Sequence, residues 1–183
     1  MPMNQTAAPD LERSNPNIRR VKDPYSGRDV VTVPALNPDV GIIHVQRADE
    51  HGNAQVWGIL GEQKEAAFAS RNVIITAEEI VSEDVIRSDP NRTLIPGLIV
   101  KAVCQVPHCA HPSYTQGYYA RDNVFYLNWD KISEDRALVN AWLDEWVHGV
   151  KDAGEYWQKL GSETHARLAV KPRYAAPVNY GDY

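Results

Sequence analysis

The sequence predicts an α/β protein built on an open, largely parallel sheet flanked by helices, and three observations predict it. An apolar run at residues 40–45 passes straight into a cluster of His44, Gln46, Arg47, Asp49 and His51 and closes on the turn dipeptide Gly52-Asn53. A buried strand that delivers polar side chains at its carboxyl end is how open α/β sheets build sites. Strand, helix and strand follow one another across residues 40–76, the order of a βαβ unit. The chain has 183 residues, 43% hydrophobic, with five Trp, enough to bury one sizeable core in one domain of ordinary length.

Residues 1–28 have little apolar periodicity and carry the turn formers Asn15-Pro16-Asn17 and Asp23-Pro24-Tyr25-Ser26-Gly27. They read as an irregular arm that needs something to lie against. Residues 29–33 are β-branched between Ser26-Gly27 and Pro34, which predicts a strand, the far arm of a hairpin with 18–22. Residues 40–45 are the next strand, and their apolar character predicts burial on both faces, as in parallel sheets. After His51-Gly52-Asn53, residues 54–57 make a short returning strand. Strong helix formers fill 62–70, with Ala66, Ala67 and Phe68 as an apolar edge, and 72–76 is the third strand. Ser82 is placed to cap a short helix that starts at 82–85, and 89–92 form a turn. Pro96-Gly97 splits 94–106 into a short strand and a second one at 99–106.

Residues 107–121 hold two His, three Tyr, Pro, Ser and Gly without a period. A long aromatic loop of this kind is functional or interfacial. Ser133 to Arg136 opens a helix with acidic residues in its first turn. Its Leu138, Val139, Trp142, Leu143, Trp146 and Val147 recur at helical spacing up to Gly149, and 153–160 give a second short helix before Gly161. Residues 162–183, with Pro172, Tyr174, Pro177, Tyr180 and Tyr183, form a tail that packs on the core or on a partner. The division is thus an arm at 1–28, an α/β domain at 29–161 and that tail.

A net charge of −5 argues against non-specific nucleic-acid binding. No apolar stretch is long enough for a transmembrane helix, and Met1 to Thr6 have neither the basic nor the apolar region of a signal peptide. Cys104 and Cys109 are too few for a disulfide framework. With His108 they invite a metal reading, but zinc sites draw on two spaced ligand pairs, so no metal site is expected. A reduced, cytoplasmic protein fits best.

Among the polar residues, His44 within its apolar strand reads first as a hydrogen-bonded core histidine. Arg47 has the geometry to anchor a carboxylate or phosphate, or to pair with Asp49 or an intersubunit acid. Gly52-Asn53 is most simply a turn. His111, Ser113 and Tyr114 form the most site-like group, although no Gly-x-Ser-x-Gly elbow surrounds Ser113. Two alternatives stay open for them, lining a substrate pocket or making an intersubunit contact. The Trp142/Trp146 stripe reads as core or interface.

Several motifs carry a resemblance. They are Pro34-Ala35-Leu36-Asn37-Pro38-Asp39, His44-Val45-Gln46-Arg47-Ala48-Asp49, His51-Gly52-Asn53 and Trp57-Gly58, then Val73-Ile74-Ile75-Thr76 with Glu78-Glu79-Ile80-Val81. The loop adds Ala110-His111-Pro112-Ser113-Tyr114, Gln116-Gly117-Tyr118-Tyr119 and Arg121-Asp122-Asn123. In order and spacing, over roughly residues 15 to 160, they resemble the C-terminal half of the A (α) subunit of family I CoA-transferases, the glutaconate CoA-transferase type. The resemblance implies a CoA-transferase (NagB/RpiA-like) fold, incomplete at the N-terminus, in a hetero-oligomer whose other chain is a B (β) subunit. In that family the B subunit supplies the glutamate that attacks the acyl-CoA, through an acyl-glutamyl anhydride and a glutamyl-CoA thioester, a covalent route. The implied reaction moves CoA between an acyl-CoA and a short-chain (di)carboxylate, with the CoA thioester as substrate and no cofactor.

The resemblance therefore implies no catalytic nucleophile in this chain. Its substrate-binding candidates are His111, Ser113, Tyr114, Tyr118, Gln46 and Arg47, with His44, Glu78 and Glu79 as secondary candidates. Glu78 and Glu79 follow a strand at Thr76 and project in different directions, so one of them meeting a partner's arginine is the better expectation. Two departures stand out: the glycine-rich first βα unit of such subunits has no counterpart in residues 1–28, and Cys109 replaces a small residue, commonly Gly. The expectation is a naturally split or a truncated subunit, with a separate chain as one source of the other half. Alternatives on the same fold are part of an acyl-CoA decarboxylase, part of a ring-opening hydrolase, and a non-catalytic structural subunit.

Overall fold

The structure, a computed structural model, describes residues 2–3 and 9–170, without the side chains of residues 2, 3, 9 and 11. The expected tail anchors Tyr174, Tyr180 and Tyr183 lie outside the described residues. The chain divides into two compact units, Met1–Pro38 and Asp39–Tyr183.

In the first unit, β1 (Pro2–Met3), β2 (Arg19–Lys22) and β3 (Asp29–Thr32) form an antiparallel sheet in the order β1-β3-β2, with α1 (Pro9–Ser14) between β1 and β2 in the chain. The predicted hairpin is present, with Arg19 opposite Thr32 and Lys22 opposite Asp29. Its turn is held by the Asp23 carboxylate, which accepts from the Tyr25 and Ser26 N–H groups at 3.2 Å each. Gly27 completes it at φ 70°, a conformation that only glycine adopts freely.

The second unit carries a five-stranded sheet in the order β7-β5-β4-β6-β8. Here β4 is Val40–Ala48, β5 Ala54–Gln55, β6 Asn72–Ile80, β7 Thr93–Ile95 and β8 Val100–Gln105. β4, β6 and β8 are parallel, and β5 pairs antiparallel with both β4 and β7. α2 (Gln63–Ala69) makes the crossover between β4 and β6 and puts Ala67 into the core with Ile43, Val45, Val73, Ile75 and Ala77. α3 (Glu83–Ser88) follows β6. Ser82 is its N-cap residue, as expected, although its hydroxyl makes no capping bond.

Four expectations change. The run at 40–45 is covered on one face only among the described residues: Ile42 is 67% exposed while Ile43 and Val45 are buried. β6 runs on to Ile80, so Glu78 and Glu79 ride on the strand rather than follow it. Ala77 packs in the core, and the ladder continues through Val81 N–H to Ala48 C=O (2.9 Å) and Val106 N–H to Ala77 C=O (2.9 Å). A helix α4 (Asn123–Ser133) precedes the predicted one, so Ser133 ends a helix instead of opening one. α5 (Arg136–Leu143) starts after Asp135, whose carboxylate accepts from the Ala137 and Leu138 N–H groups, and a π-helical turn at Asp144–His148 leads to Gly149. Finally α6 (Ala153–Leu168) continues past Gly161, which bends it at φ 82°, and ends with Leu168 buried.

Candidate functional site

Glu78 and Glu79 are neighbours on β6, so their side chains leave opposite faces of the sheet. Glu78 is buried, and donors fill both its oxygens: His44 Nε2–H on Oε1 (2.8 Å) and the His108 N–H on Oε2 (2.8 Å). The Tyr119 hydroxyl lies close enough to add to the donors around it. Burial alone raises this carboxyl, but the donors of His44, His108 and Tyr119 outweigh it and hold Glu78 below the usual carboxylate range. His44 is oriented at its other nitrogen by Thr76 Oγ1, 3.0 Å away, and Thr76 is its register partner on β6. Tyr119 takes bonds from Ala110 N–H (2.9 Å) and the Thr115 hydroxyl (2.8 Å); burial raises its phenol well above the ordinary value. This pins the loop at 107–121 to the carboxyl end of β6.

The loop is fastened a second time through His111, whose ring is fully shielded. Its Nε2–H faces Asp122 Oδ2 (3.2 Å), and its Nδ1 takes the Tyr156 hydroxyl (2.7 Å). Asp122 also caps α4 through Phe125 N–H (3.1 Å) and accepts Arg167 Nη2 on both oxygens (3.0 and 3.1 Å). Burial opposes its ionisation, yet these bonds hold Asp122 below the ordinary range. Burial lowers His111 despite Asp122, and it pushes Tyr156 up to about 12. Beside this, His108, at φ 63°, stacks on Trp157 with centroids 3.9 Å apart, and His165 stacks on the same indole at 4.6 Å. A groove of about 380 Å³ is walled by His111, Phe125, Trp142, Trp146 and Tyr156.

A second group gathers around Trp57, with Arg47 and Glu79 reaching it from the opposite sheet face. Gln46 Nε2 donates to the Trp57 carbonyl (2.8 Å), and the Arg47 guanidinium lies 5.2 Å from the indole centroid. Arg47 Nε donates to Gln55 Oε1 (2.9 Å) and is the register partner of Glu79. Glu79 is exposed and lies beside the Tyr118 hydroxyl. Burial, and then the charge of Glu79, push that phenol well up. The Tyr118 ring is 6.4 Å from Trp57.

Of the residues singled out from the sequence, Gln46, Arg47, Glu79 and Tyr118 thus meet around Trp57, while His44 and Glu78 meet under the loop. His111 belongs to a separate, internal network with both nitrogens occupied, so it positions the loop rather than offering a donor outward. Ser113 and Tyr114 are half-buried in the loop and do not line the groove. Sequence reasoning gave no role to Gln55, Tyr119, Asp122 or Arg167. Gln55, a polar residue inside a short apolar strand, is the one with a visible signal. Among the described residues no group of three His, Cys, Asp or Glu side chains is arranged for a metal ion, and Cys104 and Cys109 are free and exposed.

Residues 3–105 match the family described as Coenzyme A transferase. The chain belongs to that family. It is 47% identical, over 84% of its length and 54% of the relative's, to the A subunit of 3-oxoadipate CoA-transferase from Pseudomonas knackmussii. The crystal structure of glutaconate coenzyme A-transferase from Acidaminococcus fermentans superposes with a TM-score of 0.78 at 39% identity, covering 85% of this chain and 50% of that one. A variant of the decarboxylase AibA/AibB superposes with a TM-score of 0.57 at 27% identity, covering 76% and 50%. The chain therefore spans about half the length of these relatives. Its family fold is the mostly parallel α/β sheet described above, and no described helix is long and apolar enough to cross a membrane.

Proposed function

We propose that this chain is part of the A subunit of a hetero-oligomeric CoA-transferase, which moves CoA between an acyl-CoA and a short-chain (di)carboxylate. The observation that carries the reading is the 47% identity with the A subunit of 3-oxoadipate CoA-transferase across 84% of this chain. The nucleophilic glutamate belongs to a B-type partner. Its carboxylate attacks the thioester carbonyl and expels CoA thiolate, leaving an acyl-glutamyl anhydride. The thiolate then attacks the glutamyl carbonyl and releases the acid, and a second acid reverses the sequence. Glu78 supports this division of labour: both its oxygens are occupied and it is buried, so it is a fixed charge that orients His44 rather than an attacking group. The other half of the A subunit comes from chain that this sequence does not span, a separate polypeptide being one source. The CoA thioester is the substrate and no resident cofactor takes part. The free, exposed cysteines support a reducing, cytoplasmic setting.

Trapping tests the reading. The complex co-purified with its native chains, incubated with acyl-CoA and then hydroxylamine or borohydride, should carry the label on a partner glutamate. Labelling of Glu78 or Glu79 would reverse the assignment. The likeness to the decarboxylase AibA/AibB favours one second reading, loss of CO2 without CoA exchange. It predicts CO2 release, no exchange between acids and no trapped glutamate.

A further inference from the structure

Arg47 is held more firmly than a surface arginine needs to be. Gln55, fully buried, spends its Nε2 on the carbonyls of Ile86 (3.0 Å) and Asp89 (2.7 Å). Carbonyls only accept, so the amide has one orientation, and its Oε1 must face the Arg47 Nε–H at 2.9 Å. The indole of Trp57 supports the guanidinium from the side. Arg92 leans on the same indole at 5.0 Å, but its charge is met by Asp89 at 2.8 Å. Arg47 has no such counter-charge: among the described residues no carboxylate stands within ion-pair distance of it. Glu79, its neighbour across the strands, makes no ion pair with it and lies beside Tyr118. What remains is a half-buried, planar cation with Nε fixed and, among the described residues, its two terminal nitrogens uncommitted, at the carboxyl end of β4. A partly desolvated cation without a partner is costly, and a bidentate acceptor relieves that cost.

We propose that Arg47, oriented by Gln55 and Trp57, is the receptor for the distal carboxylate of a dicarboxylic acyl group. The proposal rests on the transferase reading above and names the residue that selects a dicarboxylic over a monocarboxylic acyl group. A planar carboxylate with one negative charge matches the fork. A phosphate, with nearly twice the charge, meets Glu79 and Asp89 close by and is disfavoured. Trp57 and Tyr118 supply apolar walls for the methylene chain between the two carboxyl groups. A monocarboxylic acid of the same length has nothing to place at Arg47.

The test is direct binding to the natively assembled protein, with glutarate and pentanoate as ligands, by calorimetry. The wild type should bind glutarate in preference to pentanoate. Arg47→Gln should weaken glutarate by about ten- to a hundredfold, the range for losing a hydrogen-bonded charged group. Arg47→Lys should recover only part of it, because an ammonium cannot make the fork. Affinity for CoA and the assembly itself should be unchanged in both variants. The proposal is overturned if the wild type does not prefer glutarate, if Arg47→Gln leaves glutarate unaffected or weakens both acids alike, if CoA affinity falls (a phosphate site), or if the complex no longer assembles (an interface ion pair). Arg47-dependent glutarate binding without any CoA exchange would leave the carboxylate receptor standing and remove the transferase reading.

Discussion

Single ionisable residues here are tied to internal partners, and that sets how the fold responds to acid. His111 and His108 both titrate below the ordinary value of 6.5, in each case because burial disfavours the charged ring. The unfolded chain therefore binds more protons than the folded one as pH falls through 6.5, and the stability these rings contribute, full above that pH, declines below it. Glu78 and Asp122 are depressed from 4.5 and 3.8, so what they contribute is present above those values and is lost as pH falls through their lower folded ones. All four act with the same sign. Chemical denaturation of the native assembly should show a midpoint that is flat from about pH 8 to 7, falls below 6.5 and falls again below 4.5. His111→Gln should shallow the upper limb and leave the part of the lower one that Glu78 contributes. A midpoint that rises on acidification would show that these histidines charge inside the fold.

At the scale of elements, the loop at 107–121 and the end of α6 hold each other. Ala120 N–H reaches the Leu168 carbonyl (2.8 Å), Tyr119 pairs with Ala169 across an isolated bridge, and Arg167 meets the Asp122 that caps α4. Asp122→Ala removes the cap, the His111 partner and the Arg167 partner together, and should cost about 3 kcal/mol. Arg167→Gln breaks one arm of the same network, and since Arg167 is 38% exposed it should cost about 1 kcal/mol. Equal losses in thermal or denaturant unfolding would mean that the cap contributes little. The sequence shows the strands and α2 because their signals are local: β-branched or apolar runs bounded by Gly, Pro and Asn. It does not show that β6 continues through Glu78 and Glu79, because two carboxylates read as surface until His44, the His108 N–H and Tyr119 arrive from elsewhere in the chain. α4 is missed for a similar reason, its cap Asp122 being visible only as one more polar residue at the end of an aperiodic loop. The site divides the same way. Arg47, Gln46 and Tyr118 are legible as polar residues near a strand end, whereas the buried Gln55 that aims Arg47 acts through carbonyls more than thirty residues away.

At the scale of the molecule, the described residues of the second unit leave apolar surface uncovered, and two of the patches bear on assembly. One is the sheet face that carries Val40 (49% exposed), Ile42 (67%) and the exposed Cys104; parallel sheets are ordinarily covered on both faces. The other is the layer of α4 and α5, in which no residue is fully buried and Leu127 (69%), Leu138 (50%) and Val124 (46%) face outward. Burying one such Leu or Ile contributes about 1.5–3 kcal/mol, so covering either patch is worth a large share of an ordinary domain's stability. The chain expressed by itself should therefore bind a hydrophobic dye, melt broadly and aggregate. Co-expression with the chains that co-purify natively should abolish dye binding and slow hydrogen exchange in both β4 and α4–α5. Protection of α4 and α5 alone would assign the helical layer to the partner and leave the sheet face to another segment, whereas a monodisperse, sharply melting, dye-free monomer would show that neither surface needs an occupant.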